Sequence, residues 1–331
     1  MRVSVLINER AGSVNADFIE GKIRESLFRC DLRIARPKTH PELADFLAEE
    51  IAQSTDGFII CGGDGTINAT LQHLMALRLS EKMPPIAVVR SGTANDLAQE
   101  IGISNRIDIA IRSIFEGYVR HIDVIEVAAE GMTKYMLTNG GLGLPAVAAE
   151  LANKFRSHLR SLAEKNDRSA FRFLAEKSYH AVKKMGPSVY SLMTAEAIRT
   201  WNNEGWGLEV SLPEQESFLT ESPIVLVNNQ TSIGSNFSPA PYTSNTDGTV
   251  NLLLSETNSV PAHTLAAMHI RRGTVDKFAP IKTFELKEFK LKTQNPERLL
   301  TFFGDGEILH RDVQEISVRC IHRALPLMVR Q

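Results

Sequence analysis

Phe58-Ile59-Ile60-Cys61-Gly62-Gly63-Asp64-Gly65-Thr66-Ile67-Asn68 is the stretch on which the reading of the fold turns. Four apolar residues run straight into a turn made of Gly62, Gly63, Asp64 and Gly65, and an amphipathic segment follows over 67–79. A short apolar run bounded by glycine predicts a buried strand, and the apolar spacing beyond it predicts a helix. Strand, Gly-rich turn and helix in that order form the repeating unit of a parallel sheet covered on both faces. Glycines let the backbone approach a ligand closely. Successive N–H groups in such a turn make an anion nest, to which the helix N-terminus adds partial positive charge. Asp64 suits a Mg²⁺ ion or a ribose hydroxyl, and Thr66 and Asn68 offer donors to phosphate. No Gly-Lys-Ser/Thr follows and the spacing is not G-x-G-x-x-G, so the turn is neither of those two phosphate-binding motifs. The alternative reading of the turn, a tight strand-to-helix connection with an Asp cap, is the lesser one.

Outward from this turn the pattern repeats. Strands are expected at 3–7, 32–35 and 86–89 and helices at 18–28 and 41–53, the last with Pro41 in its first turn. Ligands of such sheets sit at the carboxyl ends of the strands. Beyond about Asp123 the texture changes. Strands are expected at 124–127, 135–138, 188–194, 207–210, 224–227, 250–254 and 284–291, most of them separated by Gly, Asn, Ser or Pro. That run of strands predicts a sandwich-like second domain. The exception is 151–185, which reads as helical and basic. The fold expected is therefore α/β: an N-terminal three-layer nucleotide-binding domain over 1–125 and a β-sandwich-like domain over 126–331, whose C-terminal tail is free to return to the first domain. No Pro- or Gly-rich linker separates them, so they abut and form a cleft.

Two further strings carry chemistry. Arg90-Ser91-Gly92-Thr93-Ala94-Asn95-Asp96-Leu97 again follows an apolar strand, and two such turns at neighbouring strand ends face one pocket. Arg90 reads as a strand-end surface residue, with a phosphate contact as the alternative. Phe303-Gly304-Asp305-Gly306-Glu307 places two carboxylates around a glycine in an expected turn. Alone, it reads as solvated acids on a loop.

The whole chain sets bounds. Its 331 residues are 43% hydrophobic and 23% charged, enough for two packed cores at roughly 150 residues per domain. The net charge of −2 gives no overall basic signature for nucleic acid, so no nucleic-acid partner is expected. Cys30, Cys61 and Cys320 are odd in number and widely spaced, which suggests reduced thiols in the cytoplasm rather than a disulfide framework or zinc site. No segment reaches the ~20 apolar residues of a membrane-spanning helix, and the first residues do not read as a signal peptide. A homodimer is compatible with the sequence.

Taken together, the three strings resemble the diacylglycerol kinase catalytic family, which includes bacterial lipid kinases and the sphingosine and ceramide kinases. The Gly-Gly-Asp-Gly-Thr turn is shared with NAD kinases and 6-phosphofructokinases, whereas Gly-Thr-Ala-Asn-Asp and the late Asp-Gly-Glu point to the lipid kinases. Asn8 and Gly12 resemble the family's early nucleotide loop, although Glu9 stands where a Pro is expected. Arg90-Ser91 likewise replaces a more usual Pro-Leu. Asn139 to Ala146, and Ser238-Pro239-Ala240 with Asp247-Gly248, are similar to later family segments. The resemblance implies an ATP-dependent kinase acting on a lipid hydroxyl, with ATP held by Asn8, Gly12, Gly62, Gly63, Asp64, Gly65, Thr66, Asn68, Gly92, Thr93 and Asn95, and more loosely Thr39. It implies a Mg²⁺ network at Asp64, Asp96 and Asp123. It implies a second, structural Mg²⁺ at Asp247 with the carbonyls of Ser244 and Thr249. Asp305 and Glu307 match the proposed base motif, without a choice between them.

A diacylglycerol-like lipid, a sphingoid base or another lipid all carry a suitable hydroxyl. A kinase for NAD and a nucleotide-binding regulator without turnover are the competing readings. Between Lys154 and Lys184 the basic residues 154, 156, 160, 165, 168, 172, 177, 183 and 184 outnumber Glu164, Asp167 and Glu176. With Leu151, Phe155, Leu159 and Leu162 at helical spacing, the segment reads either as a helix packed on the second domain or as one making transient contact with an anionic membrane.

Overall fold

The computed structural model describes residues 1–9, 15–77, 83–91, 96–104, 106–165, 191–201, 206–213, 215–234 and 237–329. Its first part runs β1 (Arg2–Ile7), α1 (Ala16–Ser26), β2 (Asp31–Ala35), α2 (His40–Ala52), β3 (Gly57–Gly62), α3 (Asp64–Ala76), β4 (Ile86–Arg90), the short α4 (Asp96–Glu100) and α5 (Ile107–Glu116). Every residue of β3 is buried, as a central strand covered on both faces demands. β2, β1, β3 and β4 lie parallel in that order. Ile19, Ile23 and Ile111 cover one face of this sheet; Leu43, Leu47, Leu71 and Leu74 cover the other. Helix starts follow local chemistry: Asn15 caps α1 by accepting from Asp17 N at 2.8 Å. Thr39 caps α2 ahead of Pro41.

The chain continues with β5 (Tyr118–Ala129), β6 (Met132–Met136), β7 (Asn139–Gly143), α6 (Leu144–Lys165), α7 (191–200), β8 (Leu208–Ser211), β9 (Phe218–Thr220), β10 (Ile224–Asn228) and β11 (Val250–Ser255). It ends with α8 (Val260–Arg272), a 3₁₀ turn (Val275–Lys277), β12 (Ile281–Leu286), β13 (Glu288–Thr293), β14 (Leu300–Gly304), β15 (Glu307–Val313) and β16 (Glu315–Val329). A second sheet, β12-β11-β10-β7-β14-β15, is antiparallel. It packs its inner face on β5, β8, β13 and β16 of the first sheet, through Leu142, Val225, Leu252, Phe302 and Ile316 among others. α6, α7 and α8 cover its outer face. The expected mixture of an α/β layer structure and a β-sandwich is thus observed.

Two strands span the whole molecule. β16 pairs with β13 through Glu315–Arg319, then with β4 at Leu327, and β5 runs antiparallel beside it along nearly its full length. Position 125 therefore lies inside a continuous strand. Several sequence expectations are corrected. Residues 191–194, expected as strand, are helical. The run 284–291 is two strands, β12 and β13, which belong to different sheets because the chain crosses the sandwich between them. In α6 the buried line is Ala148, Ala149 and Ala152, whereas Phe155 is exposed. The side chains of Arg156, Leu159, Arg160 and Leu162, and the rest of 166–185, lie outside the described residues. Among the described residues no helix is long and apolar enough to cross a membrane.

Candidate active site

The Gly-rich turn sits where the sequence placed it, at the carboxyl end of β3. Gly63 is the last residue before α3, with extended backbone, and accepts from Thr66 N at 2.9 Å. The two flanking glycines are required for different reasons. A Cβ on Gly62 would collide with the Thr66 side chain, so Gly62 is a packing requirement. A Cβ on Gly65 would meet nothing within 4 Å, so no packing inside the chain accounts for this glycine. An open position beside a helix N-terminus fits a closely approaching anion. Asp64 opens the helix, half-buried. Asn8, at the end of β1, donates from Nδ2 to Thr66 Oγ1 at 2.8 Å and so ties the first strand to this turn. Asn68, expected to donate to phosphate, spends its amide hydrogens inside the protein: Nδ2 reaches Tyr135 O at 3.1 Å and Asp305 Oδ2 at 2.7 Å.

Asp305 is the centre of the junction. It occupies the first position of the two-residue Asp305-Gly306 turn joining β14 to β15, both residues with positive φ (52° and 81°). That is the backbone a tight hairpin of this length needs. Its Oδ1 accepts from Thr138 N at 2.8 Å and Thr138 Oγ1 at 2.7 Å, and Leu137 N lies 3.0 Å from Oδ2. Burial pushes the carboxyl above its ordinary range, opposed by the hydrogen bonds from Thr138, Asn68 and the Leu137 and Thr138 backbone. Glu307 is the exposed first residue of β15, paired across the hairpin with Gly304. The geometry thus separates two carboxylates that the sequence could not rank.

Asp96 begins α4 and docks onto the second half of the chain, accepting from Gly234 N at 2.9 Å, while Glu100 accepts from Thr231 Oγ1 at 3.0 Å. Asp96 Oδ1 is buried with no hydrogen-bond partner. Burial raises its pKa, and the negative charge of Asp305 adds to the rise. Arg90 is half-buried rather than at the surface. Its Nη1 donates to Ile103 O at 3.2 Å, and Asp64 and Asp96 both attract its charge.

The proposed Mg²⁺ set divides. Asp64 and Asp96 both attract the charge of Arg90, and the Asp96 oxygen left without a partner among the described residues suits a cation held by one or two carboxylates together with phosphate oxygens. Asp123 does not join them. It is fully buried, and its carboxylate accepts from His322 Nδ1 at 2.9 Å, Arg323 N at 2.7 Å and Gly248 N at 2.7 Å. It clamps a register shift in β16, between Ile321 and Leu325, onto the 244–249 loop. In that loop Asp247 is exposed and its Oδ1 accepts from Thr249 N at 2.9 Å and Thr249 Oγ1 at 2.7 Å. Ser244 Oγ lies 3.0 Å from Thr246 Oγ1. Asp247 thus closes an Asp-Gly turn with its own side chain. Among the described residues no three His, Cys, Asp or Glu side chains group around a common metal position. Thr39 is an exposed helix cap. Gly12, Gly92, Thr93 and Asn95 lie outside the described residues. Sequence reading missed Leu137, Thr138 and Thr231, which act through backbone groups or short hydroxyls, and His322, whose ring reaches Asp123 from a distant strand; none carries a compositional signal.

An apolar cavity of about 90 Å³ opens on the outer face of the second sheet, lined by Leu144, Ala149, Ile198, Leu226, Ile270 and Phe303 among others. Phe303, on β14, stands two residues before Asp305 in the turn that follows it, so one hairpin reaches both the cavity and the polar junction.

Fold and site define a class: an α/β layer domain whose Gly-rich turn meets a buried carboxylate presented by an adjoining β-sandwich. Residues 2–127 match the family model of the diacylglycerol kinase catalytic domain, so the resemblance carried by the motifs is found again over that stretch. The chain is 28% identical over 133 residues to a Cronobacter sakazakii protein named "Probable lipid kinase YegS-like", covering 37% of this chain and 44% of that one. It is 29% identical over 112 residues to a diacylglycerol kinase of Mycobacterium tuberculosis, covering 33% and 35%. The matches thus span less than half the length of these relatives. Over 99% of the chain, and 96% of the other, the fold superposes on the crystal structure of a diacylglycerol kinase from Bacillus anthracis with a TM-score of 0.67 at 18% identity.

Proposed function

We infer that the protein is an ATP-dependent lipid kinase that phosphorylates a hydroxyl of a diacylglycerol-like lipid. The observation that carries this reading is the place of Asp305. Its hairpin joins Asn68, one turn into α3, to the apolar cavity, and this supports a site that combines a carboxylate, a nearby anion-binding helix start and room for hydrocarbon.

Each part has a role. The N–H groups at the start of α3 bind phosphate, with the open space at Gly65 admitting it. Asp64 and Asp96 hold Mg²⁺, which when bound neutralises phosphate charge. Asp305 accepts the proton of the lipid hydroxyl. Its elevated pKa makes it a better base than an exposed aspartate, and its four donors fix its orientation before substrate arrives. Phosphoryl transfer asks for such positioning more than for covalent chemistry. The cavity takes hydrocarbon near the headgroup, and the basic segment 154–184 meets an anionic membrane surface from the water side.

The test is transfer of labelled phosphate from ATP to a panel of diacylglycerols, sphingoid bases and NAD in mixed micelles. Labelling of a diacylglycerol is expected. Labelling of NAD alone, or nucleotide binding with no acceptor labelled, overturns the reading.

A further inference from the structure

We propose that Arg90 is a phosphate-binding residue of the nucleotide site, a fixed cation supplied by the chain between Asp64 and Asp96. This rests on the nucleotide site inferred above and adds a residue to it.

The position follows from strand register. Arg90 is the last residue of β4 and lies opposite Gly62 in the parallel pair with β3. Ser91 N donates to Gly62 O at 3.1 Å, which carries the pairing one step past the end of the strand. The guanidinium therefore starts beside the Gly-rich turn, at the carboxyl edge where parallel sheets bind their ligands. Its surroundings are incompletely satisfied. Nη1 is anchored on Ile103 O, but Nε is buried with no hydrogen-bond partner among the described residues. A buried N–H of a cation without an acceptor is costly unless a ligand supplies one.

Chemistry selects the ligand. A guanidinium stays charged at every relevant pH and presents a planar fork that matches phosphate oxygens. Asp64 at the start of α3 and Asp96 at the start of α4 attract its charge, while its anchor, Nη1 on Ile103 O, leaves the buried Nε for a ligand. Desolvation of the arginine works against its charge, so a polyanion entering the site relieves a cost already present in the fold. A role confined to neutralising the two aspartates is the competing account, and it predicts a stability effect without preference for phosphate.

The experiment is calorimetric titration of the full chain with ATP, ADP and adenosine, with Mg²⁺ and with chelator, for wild type, Arg90→Gln and Arg90→Lys. Arg90→Gln is expected to weaken ATP roughly ten- to hundredfold and to leave adenosine unchanged. Arg90→Lys, which keeps the charge and loses the fork, is expected to fall between them. Wild-type ATP affinity in a folded Arg90→Gln protein overturns the proposal, as does an equal loss for ATP and adenosine. Should Arg90→Gln not fold, wild-type ATP affinity in Arg90→Lys overturns it. A wild-type protein that binds neither ATP nor ADP removes the nucleotide site itself, a failure visible before any variant is made.

Discussion

Asp305 and Asp123 are both enclosed aspartates with several donors, and their surroundings assign them opposite tasks. Asp305 lies between the two halves of the molecule beside the Gly-rich turn, whereas Asp123 closes a register shift inside a strand. Asp305→Asn keeps the volume and presents an amide where acceptors are needed. Turnover is expected to fall by about 10²–10⁴-fold with the circular-dichroism spectrum retained; activity within tenfold of wild type would remove Asp305 from the chemistry. Because burial raises its pKa above the usual 3.8, the base is lost by protonation at a higher pH than an exposed aspartate would be. The acid limb of kcat against pH is expected above that value. The stability sign is opposite: a raised folded-state pKa means that this group's contribution to stability grows as pH falls through it. Asp123→Ala leaves the donors of His322, Arg323 and Gly248 without acceptors and is expected to cost about 3 kcal/mol. Chemical denaturation reads this directly. An undiminished midpoint would show that the clamp is unimportant.

Among the elements, α6 and the hairpin β14–β15 line the apolar cavity, and on the proposed function they admit hydrocarbon to the site. Ala149 on α6 faces the cavity with Phe303. Ala149→Phe is expected to fill it, lowering kcat/KM for long-chain diacylglycerol at least tenfold while sparing a short-chain one. Equal loss on both would place the acyl chain elsewhere. Arg156 and Arg160 lie on α6, and Arg168 follows it in sequence. Replacing the three with Glu is expected to weaken binding to anionic vesicles at low salt, at about 1 kcal/mol per well-placed charge. Vesicle co-sedimentation unchanged from wild type would exclude the membrane role. The exposed Phe155 beside Lys154 adds an apolar contact on that helix.

At the scale of the molecule the two halves share strands. β5 enters the sandwich from the first half, and β16 returns to pair with β4. Leu325, Leu327 and Val329, the last turns of the chain described, lie in the core of the N-terminal layers with Ile86 and Ile122. Removing 315–331 is therefore expected to destabilise both halves together, visible as loss of a cooperative melt. Independent melting of an intact 1–125 fragment would contradict this.

How much of this was legible beforehand follows from the same distinction of scale. The strand–turn–helix of residues 58–68, the alternation through 90 and the strand-rich remainder were readable because each rests on local periodicity and on glycine. The sequence alone leaves Arg90 as a strand-end surface residue or a phosphate contact, since its hydrogen bond to Ile103 O joins positions well apart in the chain and leaves no mark on its neighbours. Of the stripe expected at Leu151, Phe155, Leu159 and Leu162, Leu151 packs beside Ala148 and Ala149 on the second sheet while Phe155 is exposed, because where α6 ends its contact with the sheet depends on the tertiary packing. Asp123 looked like one of three acids, and only the register shift of β16, some 200 residues away, shows what holds it. By itself the sequence determined which segments are strands and helices around a Gly-rich turn, because propensity, glycine and apolar spacing act within a few residues. Only the tertiary structure decided which carboxylate enters the junction, which is tied up in scaffolding and which cation joins them, because these depend on burial and on partners brought together by long-range strand pairing.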